Sequence, residues 1–260
     1  NNELVIDHLR SKRVLITGAA GSIGSELVNQ LVTYNPTELV LIDQSESALY
    51  EIFRELDQLD SQEVSIKTYV ADITDHKRIR AIFKEHQPEI VYHAAAYKHV
   101  PFMEDNVTEA VNCNILGTRN LANLATEYKV HKFVMVSTDK AVNPTNVMGC
   151  SKRIAEIYVQ SLNSFHENTH TKFVTTRFGN VLGSNGSVIP FFKKQIAQGG
   201  PVTVTHPEIT RYFMTISEAC ELVIEAGAMG KGGEIFLFDM GKSVKIVDLA
   251  KKMIRLSGHR

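Results

Sequence analysis

Six short runs of β-branched and aliphatic residues recur along the first two thirds of the chain with little polar alternation. They are Arg13–Thr17, Glu38–Asp43, Val64–Val70, Ile90–His93, Lys132–Ser137 and Lys172–Phe178. A strand wetted on one face alternates apolar and polar residues; a nearly continuous apolar strand needs cover on both faces. Segments with helical periodicity lie between the runs: Ser22–Tyr34, Glu46–Leu59, Asp75–Glu85, Glu109–Tyr128 and Val147–Phe165. Strand, helix and strand repeated in this way predict an α/β fold, a doubly wound parallel sheet of the Rossmann kind with right-handed crossovers. After Phe178 the pattern shortens and is broken by Gly183–Gly186, Gly199-Gly200-Pro201 and Gly230–Gly233. The expected division is a sheet domain over residues 1–178 and a small C-terminal lobe over 179–260. One strand near Ile235–Phe238 is expected to return to the main sheet, followed by a helix over Ile246–Leu256.

Composition narrows the partners. The chain has 28 Lys and Arg against 29 Asp and Glu, a formal net charge of −1. That excludes a nucleic-acid binder or a membrane-surface protein relying on bulk positive charge. Three widely spaced cysteines, Cys113, Cys150 and Cys220, form no CxxC. They predict a reducing compartment and neither a disulfide scaffold nor a metal site. No apolar run reaches the ~18 residues that span a bilayer. The first residue is Asn rather than Met, so the expectation is a fragment, with the small lobe cut short at Arg260.

The loop Gly18-Ala19-Ala20-Gly21-Ser22-Ile23-Gly24 follows the first strand and opens the first of these helices. Glycines there let the backbone turn tightly and approach a pyrophosphate, and the helix N-terminus supplies N–H groups and a positive dipole end. Asp43 ends the second strand, where a carboxylate suits the two hydroxyls of an unphosphorylated ribose. It would repel a 2′-phosphate, and no Arg or Lys occurs from Gln44 to Phe53 to compensate. The predicted cofactor is therefore NAD rather than NADP. Ligands of such sheets bind at the carboxyl ends of the strands. There Asp72 and Ile73 are placed at the adenine, and Ala94, Ala95 and Ala96 let a cofactor lie close to the backbone. Thr138-Asp139-Lys140 and Gly179-Asn180 end the fifth and sixth strands. His93, also at a strand end, is read as a structural histidine.

Longer stretches resemble a known family. Gly18–Gly24 has the GxxGxxG spacing of the extended short-chain dehydrogenases/reductases. Ala95–Pro101, Ser137–Ala141, Arg177–Ser184 and His206–Phe213 are similar to the nucleotide-sugar 4,6-dehydratases of bacterial polysaccharide biosynthesis, specifically those acting on UDP-N-acetylglucosamine. One position departs from the superfamily pattern. The usual Tyr and Lys stand four apart on one helical face; here Lys152 is present and Met148 stands where Tyr would be. A thioether cannot relay a proton. A membrane-anchored subgroup of these dehydratases is similar in having Met here, so the resemblance implies the cytoplasmic domain of a bacterial protein anchored in the inner membrane by a segment outside this chain.

The resemblance also implies roles. Asp139 would be the acid for the C6 hydroxyl, Lys140 the base at C5, Thr138 a hydrogen-bond partner of O4, and Lys152 a ligand of the nicotinamide ribose. NAD would be tightly bound and regenerated in each turnover. Base chemistry at Lys140 and acid chemistry at Asp139 call for a dry site. Lys98, His99, Asn180, Asn185 and Arg211 are the expected contacts of a UDP-sugar, and Asn114 an organiser of the cofactor site. Helices Glu109–Tyr128 and Val147–Phe165 pair between subunits in related enzymes, which implies a homo-oligomer. A UDP-sugar 4-epimerase and a catalytically silent NAD-binding module are the alternatives; the missing Tyr weighs against the first and Thr138, Asp139, Lys140 and Lys152 against the second. His166-Glu167-Asn168-Thr169-His170 matches HExxH, but it lies at the amino end of the sixth strand, so no zinc site is expected.

Overall fold

The computed structural model describes residues 2–57, 64–165, 168, 170–184 and 186–258. All six predicted strands are present: β1 Arg13–Thr17, β2 Glu38–Asp43, β3 Ser65–Val70, β4 Ile90–His93, β5 Lys132–Thr138 and β6 Lys172–Phe178. With β10 Ile235–Leu237 they form a seven-stranded sheet in the order β10-β6-β5-β4-β1-β2-β3, every pair parallel. The returning strand is thus β10, beside β6. Strand order reverses between β1 and β4, which opens a crevice at their carboxyl ends.

Both faces of the sheet are covered, as the apolar runs require. Val14 and Ile16 of β1 face one core, with α1 (Asn2–Leu9), α2 (Ser22–Val32), α3 (Glu46–Asp57) and α10 (Ile216–Met229). Leu15, between them, faces the other core, with α4 (His76–His86), α7 (Thr118–Glu127) and α8 (Val147–Ser161). Edge strand β3 departs from the pattern and has exposed and half-buried positions. Helix α10, which follows the glycine-rich stretch, packs against α2, β5 and β6; its first turn carries a reciprocal capping box between Thr215 and Glu218.

The expected single helix Glu109–Tyr128 is a composite. Val107–Glu109 (α6) leads into a π-helical stretch, Ala110–Gly117, and then into α7. Wider turns change which residues share a face, and this one aims Asn114 at the loop after β4. Beyond β6, β7 (Asn180–Val181) pairs with β9 (Phe213–Met214), and β8 (Thr210–Arg211) pairs with β11 (Val244–Lys245). Helices α9 (Val188–Ala197) and α11 (Ile246–Leu256) pack there around Phe192, Ile246 and Ala250. These pieces stand over the carboxyl ends of β5 and β6 and form the far wall of the site. Among the described residues no helix is long and apolar enough to cross a membrane.

Candidate active site

The glycine loop is shaped by contacts that leave no room for side chains. Gly18 has φ of +67°, and a Cβ on it would lie 2.6 Å from the Ala95 nitrogen. A Cβ on Gly24 would meet the Gly18 carbonyl oxygen at 1.9 Å. The loop is therefore folded against the end of β4, and its helix α2 starts at Gly21 without a side-chain cap or an acidic residue in the first turn. The positive end of the helix dipole favours an anion there. Asp43 accepts the backbone N–H of Ala20 at 3.0 Å and of Ser45 at 2.9 Å. A carboxylate has about four acceptor positions, so two remain for ribose hydroxyls. The backbone cradle and the spare carboxylate sites fit a dinucleotide.

A cleft of about 610 Å³ runs from this loop to the small lobe. It brings together Gly18, Gly21, Ser22, Ile23, Gly24, Ala94 and Ala96 with Thr138, Lys140 and Lys152, and with Lys98, His99, Asn180 and Arg211. Asp43, Asp72, Ile73, Ala95, Asn114 and Asp139 do not line it. Asp72 follows β3 in a turn held by the N–H and hydroxyl of Thr74, both 2.8 Å from Oδ1. Buried Ile73 packs against Gly117 and accepts a hydrogen bond from Asn120. Asn185 lies outside the described residues, as do His166, Glu167 and Thr169 of the HExxH match. Among the described residues no group of three His, Cys, Asp or Glu is placed to hold a metal.

His93 is fully buried between two hydroxyls, Thr17 Oγ1 at 2.7 Å and Thr118 Oγ1 at 2.8 Å. Thr118 gives its own hydrogen to the Asn114 carbonyl, so it accepts from His93 Nε2–H, and Nδ1 accepts from Thr17. Burial pushes this histidine down to about 3. It is a neutral tie between β1, β4 and α7, which is the structural role. Asn114 does not reach the cleft. Its Oδ1 accepts the Tyr97 N–H at 2.8 Å, and its Nδ2 donates to the Tyr97 carbonyl and to Ser151 Oγ. The geometry makes it an organiser of the loop after β4, with no side-chain hydrogen left to donate to a cofactor.

On α8, Met148, Lys152 and Glu156 lie four apart on one buried face. Met148 packs with Met103, Ala110, Tyr97, Val100 and Val147. Lys152 is 4% exposed and donates to the Val136 carbonyl at 2.8 Å; burial pushes its ammonium down to about 8. Glu156 has no exposed surface. It accepts a fork from Arg177 and a bond from Ser137 Oγ. Sequence reasoning missed this ion pair, although the four-residue spacing from Lys152 places Glu156 on the same face.

Thr138, Asp139 and Lys140 turn out of β5 in a single 3₁₀ turn. Asp139 Oδ1 accepts from Thr138 Oγ1 at 2.9 Å and from Lys140 Nζ at 3.0 Å, and Lys140 also donates to Asn180 Oδ1 at 3.2 Å. The expectation of a dry pair does not hold: the side chains of Lys140 and Asp139 are 31% and 48% exposed. They sit at the rim of the cleft, where a Cβ on Gly179 would lie 3.2 Å from Asp139 Oδ2. Above them, partial burial holds the Lys98 ammonium below its ordinary value, and the His99 ring stacks so closely on Gly186 that a Cβ there would lie 2.5 Å from it. Arg211 keeps an exposed guanidinium that donates to its neighbour's carbonyl.

Fold and cleft together define an extended short-chain dehydrogenase/reductase: a parallel sheet with a glycine loop after β1, Lys152 on α8, and a small lobe closing over the strand ends. Within that class the chain belongs to the polysaccharide biosynthesis protein family, whose model matches residues 14–260. It is 56% identical over 257 residues to the capsular polysaccharide biosynthesis protein CapD of Staphylococcus aureus, covering 99% of this chain and 43% of that protein. A UDP-N-acetylglucosamine 4,6-dehydratase (inverting) of Campylobacter jejuni is 33% identical, covering 96% and 73%. A UDP-glucose 4-epimerase of Rickettsia canadensis is 34% identical, covering 96% and 72%. The X-ray structure of Pen from Bacillus thuringiensis superposes with a TM-score of 0.90 at 35% identity, over 96% of this chain and 77% of that one. The chain thus spans less than half the length of the CapD relative and of a Bacillus subtilis relative, EpsC, of which it covers 42%.

Proposed function

We propose that this chain is the catalytic part of an NAD-dependent UDP-N-acetylglucosamine 4,6-dehydratase serving polysaccharide synthesis. The observation that carries the reading is the Asp139–Lys140 pair, held by Thr138 and Asn180 at the end of β5 within reach of the cleft that the glycine loop opens. The glycine loop, Asp43, Ala94, Ala96 and Lys152 would hold the cofactor, with Asp72 and Ile73 toward the adenine and Asn114 organising the loop beside it. When bound there, NAD would supply a reversible hydride acceptor for oxidation at sugar C4 and reduction at C6.

The protein's own groups supply the acid and base. Elimination across C5 and C6 needs a neutral amine to take the C5 proton and a neutral acid to protonate the leaving hydroxyl. Moving one proton along the 3.0 Å Lys140–Asp139 bond makes both at once. In water the ionic form of such a pair is favoured, so the transfer carries a cost. Excluding water destabilises the ionic form of the pair and lowers the cost. A sugar seated on the rim does this. Thr138 bonds O4, and its proton passes through water because Met148 has none to relay. The Lys152 ammonium favours negative charge on that oxygen. Lys98, His99, Asn180, Asn185 and Arg211 bind the UDP-sugar, the Arg211 fork matching a diphosphate.

Homo-oligomerisation through α7 and α8 belongs to the same reading; Ile154 and Ile157 on α8 are 49% and 55% exposed. So does membrane attachment through a segment outside this chain. The test is incubation with UDP-N-acetylglucosamine and NAD in D₂O, read by mass and NMR spectra. Loss of one water, a C6 methyl and deuterium at C5 are expected, and Lys140→Ala should lose the C5 exchange. A C4 epimer without water loss contradicts the reading in favour of epimerisation. NAD binding with no turnover of any UDP-sugar favours the silent module.

A further inference from the structure

The reaction proposed above returns the same hydrogen that it removes, so the cofactor must outlast the intermediate. The structure holds a device suited to that. In the sheet, β1 lies between β4 and β2, and the glycine loop rises from its end. Gln44 follows β2 on one side of the loop, and Tyr97 follows β4 on the other. Their side chains meet: Gln44 Nε2 donates to the Tyr97 hydroxyl at 3.3 Å.

Both ends of this bridge stand on fixed ground. The Tyr97 backbone is clamped at its N–H and its carbonyl by buried Asn114, and Asn114 is tied to Ser151 on α8. The Tyr97 ring packs against the cluster of Met103, Ala110 and Met148, which leaves the hydroxyl as its polar handle. Gln44 is next to Asp43, whose carboxylate is locked by Ala20 and Ser45. Between two rigid anchors, the single soft element is one exposed, long hydrogen bond. Tyr97 also lines the cleft.

We propose that Gln44 and Tyr97 form a clasp across the dinucleotide groove, and that breaking their bond is part of cofactor release. The proposal rests on the assignment of NAD to this groove. Tyr97 is a positioning residue here, with no part in the chemistry at the sugar. Met148 next to it gains a second reason to be apolar, since it seats the ring that presents the hydroxyl.

The test is the rate at which bound NAD leaves the purified protein, followed by chasing labelled NAD with excess unlabelled NAD. Tyr97→Phe keeps the ring and removes the hydroxyl; Gln44→Ala removes the other partner. A neutral exposed hydrogen bond predicts a roughly two- to twelvefold faster release in each (about 0.5–1.5 kcal/mol). Because the two variants lose the same bond, the double variant should release NAD no faster than either single one. Unchanged release in Tyr97→Phe overturns the clasp, even if Gln44→Ala is faster, because Gln44 would then act alone. Additive acceleration in the double variant overturns it as well. A wild-type protein that binds no NAD overturns the cofactor assignment and the clasp with it, whereas a protein that binds NAD but dehydrates nothing leaves the release measurement intact.

Discussion

Replacing Lys152 with Met tests the central electrostatic feature of the site. Lys152 is 4% exposed, and burial pulls its ammonium from an ordinary 10.5 to about 8. The displacement corresponds to about 3 kcal/mol of folding free energy spent on keeping the charge inside. Its sign follows from proton counting. Between pH 8 and 10.5 the unfolded chain holds the Lys152 proton and the folded chain has released it. The unfolded state binds more protons there, so this group makes stability rise with pH across that window, and its cost is fully present below pH 8. Lys152→Met removes the titration. It also leaves the Val136 carbonyl without its 2.8 Å partner, a loss of about 1–3 kcal/mol. At pH 7 the variant should therefore be as stable as the wild type or up to about 2 kcal/mol more stable, while losing the proposed dehydratase activity. Urea unfolding of both proteins from pH 7 to 9.5 is the assay. The wild type should gain on the variant by roughly 2 kcal/mol across that range. A difference that does not change with pH would refute the buried ammonium, and a variant several kcal/mol less stable at pH 7 would show that Lys152 is a structural strut.

Gly18→Ala places a Cβ at φ +67° and 2.6 Å from the Ala95 nitrogen; left-handed strain and overpacking together cost about 2–5 kcal/mol, and NAD affinity measured by calorimetry should collapse. Wild-type affinity in that variant would mean the loop does not carry the pyrophosphate. Glu156→Gln leaves Arg177 buried without its charge partner, which costs about 3–5 kcal/mol and should lower the melting temperature by roughly 10 °C. Adding Arg177→Met should restore much of it; no restoration would assign the loss to packing.

The sheet was legible because its strands must be apolar on both faces, and runs such as Leu39–Ile42 have few other places to go. The glycine loop and Asp43 were legible for a related reason: their spacing is dictated by backbone geometry at a strand end. Three features were not. The π-helical stretch Ala110–Gly117 has the composition of an ordinary helix, and its widening shows only in where Asn114 points. Helix α10 carries apolar residues that would suit either lobe, and only the packed structure seats it on α2. The exposure of Asp139 and Lys140 depends on how far the small lobe overhangs β5, which no local pattern encodes. Glu156 was within reach, since a glutamate four residues after Lys152 shares its buried face, but its partner Arg177 comes from a strand that only the fold brings near.

The account stands on one hydrogen travelling within one sugar while the acid–base pair removes water. UDP-N-acetylglucosamine deuterated at C4, turned over in ordinary water, tests that directly by NMR of the product. Deuterium in the C6 methyl, with ordinary hydrogen at C5, is the predicted result. Deuterium remaining at C4 of an epimerised sugar, or lost to solvent, would contradict it.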